Sequence, residues 1–204
     1  MASLLLLLRV GVPRGTSSEA VWEELQRQPA LRRVAGARLY QPFRGVFEPT
    51  EWLFCGEVEE EIPPPALPAE RLPLRKVEVY PFRAEINPLG RPLLGSPLPI
   101  QLVTITVIAP MIDRFEAWYA EHAELLCRAP GAVGARRYWQ DGAPRRYATL
   151  YYYESEDGIE RYYASEVRAA AAESRLPFDP WLVDQYHTYY RDITPASSRA
   201  VHSR

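Results

Sequence analysis

Residues 101–138 contain a stretch in which apolar residues recur at helical spacing, with a stretch of strand character on either side of it. The helical face carries large side chains at i, i+3, i+4, i+7, i+10 and i+11: Phe115, Trp118, Tyr119, His122, Leu125 and Leu126. Asp113 and Glu116 predict an N-terminal capping pair, and Pro130 with Gly131 predict the end of the helix. His122 is therefore expected on the buried stripe of the helix and not among its charges.

The residues before this segment carry similar patterns. Strands are predicted over residues 4–12, 34–40, 51–58 and 75–86, and a helix capped by Ser17 or Ser18 over residues 19–32. Prolines recur between residues 63 and 73, so this stretch cannot form a regular helix. The proline- and glycine-rich residues 87–99 predict a linker.

The second half of the chain repeats the first. Residues 4–13 resemble residues 102–110, residues 34–40 resemble residues 132–138, and residues 82–88 resemble residues 189–195. The separation between matched residues grows from 98 to 107, which places an insertion where a further helix is predicted over residues 157–173. Each copy therefore reads β-α-β-β-α-β, with the second helix missing from the first copy.

This order is that of a ferredoxin-like split βαβ unit, a four-stranded antiparallel sheet with helices on one face. Because the open sheet face must be covered, we predict an α+β fold in which two fused units form an intramolecular, pseudo-dimeric α/β barrel. Residues 1–87 are expected to form a degenerate unit and residues 88–99 a linker. Residues 100–195 would form the unit with the ligand pocket, and residues 196–204 a disordered tail.

Composition removes several classes of function. The formal net charge of −2 gives no electrostatic footprint for nucleic acid. Cys55 and Cys127 match no metal spacing and are expected to be buried thiols, which favours a cytoplasmic protein. The leucine run at residues 4–8 lacks a basic segment before it and has Arg9 directly behind it, so we interpret it as a buried strand and not as a secretory signal. No other stretch approaches the length of a membrane span.

The helix and the residues after it resemble a known family. Matching positions are Phe115, Trp118, Tyr119, Glu121, His122, Pro130 and Gly131, followed by an arginine-rich strand and a strand that ends in Glu154-Ser155. Residues 101–193 are similar to the dimeric α/β-barrel superfamily and most to its EthD-type proteins, although Glu124 stands where many members have proline. The resemblance implies the barrel fold, whereas the activities of such proteins range from cyclases, dehydratases and decarboxylases to cofactor-free monooxygenases.

Candidate chemistry lies in the second copy, which holds 11 of the 13 tyrosines. A histidine and a phenol on facing surfaces can serve as an acid/base pair. Predicted catalytic residues are His122, Tyr151 and His187, and predicted substrate-binding residues are Trp118, Tyr119, Thr104, Tyr153 and Tyr186. Each histidine could instead be a core residue bonded to the backbone, and each tyrosine could reflect strand preference alone. No metal site, phosphate-binding loop or dinucleotide fingerprint is present in the sequence.

We therefore predict a cofactor-independent lyase or cyclase that acts on an aromatic or polyketide-like small molecule, as a monomeric pseudo-dimer without nucleic-acid or membrane partners. Two alternatives stay open: a non-catalytic binding protein for the same ligands, and a cofactor-free monooxygenase.

Overall fold

The structure is a computed structural model and describes residues 3–45 and 50–196. This part of the chain contains eight strands and four α-helices. In chain order they are β1 (Leu4–Gly11), α1 (Ser18–Gln26), β2 (Ala35–Gly45), β3 (Glu51–Val58), β4 (Leu74–Ile86), β5 (Ile100–Val107), α2 (Ile112–Cys127), β6 (Ala132–Gln140), β7 (Arg145–Tyr153), α3 (Glu156–Tyr163), α4 (Glu166–Arg175) and β8 (Leu182–Asp192).

The eight strands form one closed antiparallel barrel in the order β1-β3-β2-β8-β5-β7-β6-β4, with β4 paired to β1. The first copy contributes β4-β1-β3-β2 and the second β8-β5-β7-β6, so both have the strand order of a ferredoxin-like unit. The copies join where β2 pairs with β8 and where β4 pairs with β6. The predicted α+β fold of two fused ferredoxin-like units is confirmed.

The two joints carry matching ion pairs, which supports the internal repeat. At one joint, Nη1 of Arg38 on β2 lies 3.4 Å from Oδ2 of Asp192 on β8. At the other, Arg136 on β6 forms an ion pair with Glu85 on β4. The two arginines are equivalent in the repeat, as are the two carboxylates, so the sequence repeat corresponds to a repeat in the structure.

The barrel interior is filled from both copies by leucine and tyrosine side chains. β1 lies between β3 and β4 and is buried from Leu5 to Gly11. Because a strand covered on both faces needs apolar residues on both, the leucine run is explained by a central barrel position. The interpretation of residues 4–8 as a buried strand is confirmed.

The outer faces of the two half-barrels are covered differently. In the second copy, α2, α3 and α4 cover the sheet. In the first copy, α1 covers part of the sheet, and the proline-rich stretch adds Ile62, Leu67 and Leu72 to the same apolar cluster. The missing second helix of the first copy is thus replaced by irregular chain that fills the corresponding space.

Three local predictions differ from the structure. The first helix ends at Gln26 and not at Arg32, because Pro29 disfavours helical geometry in the residue before it. The helix predicted over residues 157–173 is two helices, since the Ser165 hydroxyl accepts a hydrogen bond from the Arg168 amide at 3.2 Å and begins α4. α2 begins at Ile112, so its N-cap is Met111, which makes no side-chain cap hydrogen bond; Asp113 lies inside the first turn, and Glu116 bonds to Arg145 and Tyr147.

Both cysteines are free and buried, as predicted. No helix in the described part of the chain is long and apolar enough to cross a membrane. The predicted tail lies largely outside the described residues.

Candidate functional site

A cavity of about 300 Å³ lies in the second copy, between the outer face of the sheet and the helices α2, α3 and α4. Its walls are mostly apolar and aromatic, which suits a small organic ligand. Apolar lining residues include Val103, Ile105, Leu126, Ala171 and Ala172. One wall comes from the first copy, where Gly45 at the end of β2 packs against the carbonyl of His187 with a φ of +108°. A side chain at this position would collide with that carbonyl, so the close approach requires glycine.

The floor of the cavity is set by strand alternation and register. Gln101 on β5 pairs with Tyr151 on β7 and Tyr189 on β8. Two residues further on, Val103 pairs with His187 on β8. Because alternate residues of a strand share a face, all five side chains point away from the barrel interior and toward the helices.

The roof is formed by α2 through Trp118, Tyr119 and His122. The Trp118 and His122 rings lie 4.4 Å apart between centroids, and Trp118 also stacks on Phe178 at 4.5 Å. The Tyr119 hydroxyl donates a hydrogen bond to Oγ1 of Thr149 on the sheet at 2.8 Å. These contacts fix the side chains of the helix over the floor.

The hydrogen-bond geometry around Ser174 favours one tautomer of His122. The Ser174 hydroxyl lies 2.9 Å from the Ala171 carbonyl, to which it donates its one proton. Its oxygen can then only accept, from Nε1 of Trp118 at 3.4 Å and from Nδ1 of His122 at 3.2 Å. This arrangement favours the neutral tautomer of His122 with its proton on Nδ1, in which Nε2 keeps the lone pair that can take a proton.

Burial keeps this imidazole neutral. The pKa of His122 is lowered from 6.5 to about 4, first by burial and then by the positive charge of Arg175. The pKa of His187 is lowered to about 4 for the same two reasons, against a smaller opposing effect of Asp179. Both rings are neutral near pH 7 and can act as proton acceptors.

Two polar atoms of the cavity residues have no hydrogen-bond partner among residues 3–45 and 50–196. They are Nε2 of His187 and the hydroxyl of Tyr151, which is 4% exposed. Besides burial, the nearby hydroxyl of Tyr119 contributes to the raised pKa of Tyr151, without forming a well-aligned hydrogen bond with it. Burial raises the pKa of Tyr151 well above its usual value, so the phenol is protonated and can donate. Buried polar groups are normally paired, so these two atoms mark where a ligand or water would bind.

The structure brings five of the predicted site residues to the cavity: His122, Tyr151, His187, Trp118 and Tyr119. It places the other three elsewhere. Thr104 lies on the barrel-interior face of β5, between Ala148 and Tyr186. Tyr186 bonds to Tyr190 at 2.7 Å and lies under Arg9, also inside the barrel. Tyr153 is on the outer face but is packed against Tyr162 and Tyr189 and bonds to Gln101.

Several residues at or beside the cavity were not anticipated from the sequence. Ser174, Arg168 and Arg175 belong to α4, which was not separated from the preceding helix. Gly45 comes from the other copy, and no local pattern signals its approach. In the described part of the chain, no group of three histidine, cysteine or acidic residues could hold a metal ion.

Comparison with solved structures identifies the fold. No protein-family model matches the sequence, and no curated protein is significantly similar to it. A provisionally assigned monooxygenase from Fusobacterium nucleatum superposes with a TM-score of 0.63 at 6% identity, over 94% of this chain and 93% of the other. An anthrone oxidase-like protein gives 0.55 at 13% identity, over 93% and 91%. A major regulator of staphylococcal pathogenesis gives 0.56 at 10% identity, over 92% and 98%.

These similarities extend over nearly the whole chain, so the fused double unit is shared and not only one half of it. The identities are low, and the three neighbours include both oxygenase-like proteins and a regulator. The likeness therefore establishes the fold, while the activity must be argued from the cavity.

Proposed function

We propose that this protein is a cofactor-independent enzyme that deprotonates an aromatic or polyketide-like small molecule, with His122 as base and Tyr151 as donor to the developing oxyanion. The observation that carries the proposal is the neutral, buried imidazole of His122 in the same cavity as the buried, protonated hydroxyl of Tyr151. The similarity of the α2 residues to the EthD-type helix motif supports the same location.

The low pKa of His122 is compatible with this role. A neutral imidazole is ready to accept a proton at pH 7, but an isolated buried imidazolium is costly. Once the substrate loses its proton, the new anion lies beside the imidazolium, and their attraction offsets the cost of burying each charge. Arg175 favours the anion and disfavours the imidazolium, so its effect on the proton transfer depends on which group lies closer to it.

His187 is proposed as a second acid/base group. Its Nε2 is buried without a partner among the described residues, and its ring is neutral. Because no protein group among the described residues donates a hydrogen bond to Nε2 of His187, this atom can accept one from a ligand hydroxyl when the ring proton is on Nδ1. With His122 on the roof and His187 on the floor, one ligand would have a base available from each side.

The deprotonated intermediate leads to different reactions in the two enzyme classes. In a lyase or cyclase, the enolate carbon attacks a carbonyl carbon to close a ring, or the enolate expels a β-hydroxyl, which leaves as water with a proton from an acid group such as the imidazolium. In a cofactor-free monooxygenase, the same electron-rich carbanion reacts with dioxygen. The monooxygenase alternative is supported by the names of structural neighbours, and the lyase by the two facing acid/base groups.

The shared first step can be tested with anthrone, a tricyclic ketone with an acidic methylene group and the ligand class named by one neighbour. We expect the wild-type protein to accelerate deuterium exchange at that methylene in D₂O under nitrogen, as followed by NMR. His122→Gln should lower the exchange rate about 10²–10⁴-fold without loss of melting temperature, because it removes proton transfer and keeps polarity. Glu121→Gln, on the exposed side of α2, is the matched control.

The remaining outcomes discriminate among the functions. Oxygen consumption with anthrone in air would favour the monooxygenase over the lyase. Binding of anthrone with no exchange would favour the non-catalytic binding protein. A folded His122→Gln protein with the full exchange rate would exclude His122 as the base.

A further inference from the structure

The charged residues that line the cavity have one sign. Among the described lining residues, Arg168 and Arg175 are the charged ones, and no carboxylate is among them. Both arginines belong to α4, where residues 168, 171, 172 and 175 all line the cavity. This i, i+3, i+4, i+7 spacing places the two arginines on the helix face that covers the cavity.

The two arginines differ in their protein partners. Nε of Arg175 lies 2.9 Å from Oδ1 of Asp179, so this charge is largely compensated. Arg168 lies 5.3 Å from the centroid of the Tyr163 ring, and no carboxylate of the described chain lies within ion-pair distance of it. One positive charge at the cavity therefore has no negative counterpart in this part of the protein.

The polar groups deeper in the cavity complement a ligand with an acidic group. The Tyr151 hydroxyl is buried without a partner among the described residues and can donate to an oxygen. The apolar walls exclude water, which strengthens an ion pair formed inside them. Tyr162 and Tyr163 line the same side as Arg168 and offer aromatic faces to a planar ligand.

We propose that the cavity takes its ligand as an anion, a planar aromatic carboxylate or ionised phenol whose negative group is held by Arg168. This inference rests on the proposed function for the choice of cavity and extends it to the charge of the substrate. Arg175, paired with Asp179, borders the same anion, and the aromatic body of the ligand lies against Val103, Ile105 and Leu126. A guanidinium fits because its parallel N–H groups can bind both oxygens of a carboxylate.

Binding can be tested without turnover. The probes are 1-naphthoate and 1-naphthamide, which have nearly the same shape and differ in charge, with Kd measured by isothermal titration calorimetry at pH 7. We expect the wild-type protein to bind the naphthoate at least about tenfold more tightly, with the preference shrinking as salt is raised. Arg168→Gln should remove most of this preference and leave the naphthamide affinity nearly unchanged. Arg161→Gln is the matched control, since Arg161 is an exposed α3 residue paired with Glu154.

Arg168→Lys is a second variant, which keeps the positive charge. It should retain much of the preference for naphthoate, so that a loss seen only in Arg168→Gln is due to charge and not to a change in helix stability. Equal Kd values for the two probes, no binding of either, or an undiminished preference in folded Arg168→Gln would each overturn the proposal. The anthrone exchange experiment is independent, because anthrone is bound as a neutral molecule. If wild-type protein shows no preference for naphthoate but still accelerates anthrone exchange, the anion-site inference is wrong and the proposed function stands. If it prefers naphthoate but does not accelerate exchange, the role of His122 as base is wrong and the anion site stands.

Discussion

Nδ1 of His122 on α2 lies 3.2 Å from the hydroxyl oxygen of Ser174 on α4. This contact joins two of the three helices that cover the cavity and favours the tautomer in which Nε2 is free. Ser174 has no spare hydrogen-bonding capacity, because it also serves the Ala171 carbonyl and the Trp118 indole. The catalytic geometry that we propose therefore depends on a residue that does not itself transfer a proton.

Ser174→Ala tests this positioning role. Without the hydroxyl, the Nδ1–H of His122 loses its acceptor, and the proton can move to Nε2. We expect the ¹⁵N shifts of the ring to show a mixture of tautomers and the anthrone exchange rate to fall about 10–100-fold, the range seen for residues that orient a functional histidine. Ser174→Thr keeps the hydroxyl and should restore both signals. An unchanged tautomer in Ser174→Ala would contradict the assignment.

The two cavity histidines predict a loss of stability in acid. Their pKa values of about 4 lie below the ordinary 6.5, so the unfolded chain binds protons between these pH values that the folded chain does not. Stability that is complete above pH 6.5 should fall as the pH drops toward 4, by at most about 1.4 kcal/mol per pH unit for each ring. Arg175 lies near both rings and lowers the pKa of each, and Asp179 opposes this effect at His187.

The double variant His122→Gln/His187→Gln isolates this effect. It should flatten the dependence of melting temperature on pH between 6.5 and 4, measured by thermal unfolding in matched buffers. A variant with the same steep profile as the wild type would show that other groups cause the acid sensitivity.

Gly131 provides a test of helix docking. It has a φ of +85° after α2, and a side chain there would collide with the backbone of Gly158 at the start of α3. Gly15 has the same φ but nothing within 4 Å, so it is a matched control for backbone strain alone. We expect Gly15→Ala to cost about 1 kcal/mol and Gly131→Ala roughly 3 kcal/mol or more, as measured by urea unfolding. Equal costs would mean that α3 does not press against this turn.

The closed barrel predicts a monomer in solution. A sheet closed on itself has no unpaired edge that could recruit a second chain by strand addition. Small-angle scattering should give a radius of gyration of about 17 Å, the value expected for a compact chain of this length. A stable dimer at micromolar concentration would show that another surface associates.

The fold was predictable because the hydrophobic pattern and the internal repeat indicated the same order of strands and helices in the two units. The leucines of β1 and the matched segments around Arg38 and Arg136 indicated two units with buried strands, and the structure follows this plan. Helix boundaries were less accurate, since Ser165 and Pro29 act through capping and local backbone geometry that periodicity does not register.

The candidate site was predictable where a residue's face followed from its own element. Alternation along β7 and helical spacing along α2 predicted the faces on which Tyr151 and His122 lie, and both residues line the cavity. Thr104 and Tyr186 lie inside the barrel and not at the cavity. Both faces of these strands are largely apolar, so alternation alone does not show which face lines the barrel interior and which faces the helices. Ser174 and Gly45 depend on contacts between distant segments, and no local pattern encodes these.

The proline-rich filling of the first copy has an evolutionary consequence. In a homodimer of identical units, every substitution is present in both halves. The outer sheet face of one unit therefore cannot be filled by side chains while that of the other keeps a cavity. Covalent duplication breaks this constraint: one half can accumulate changes that suit a scaffold, and the other can keep its chemistry. In this chain the division of labour leaves the cavity beneath α2, α3 and α4 in the second copy.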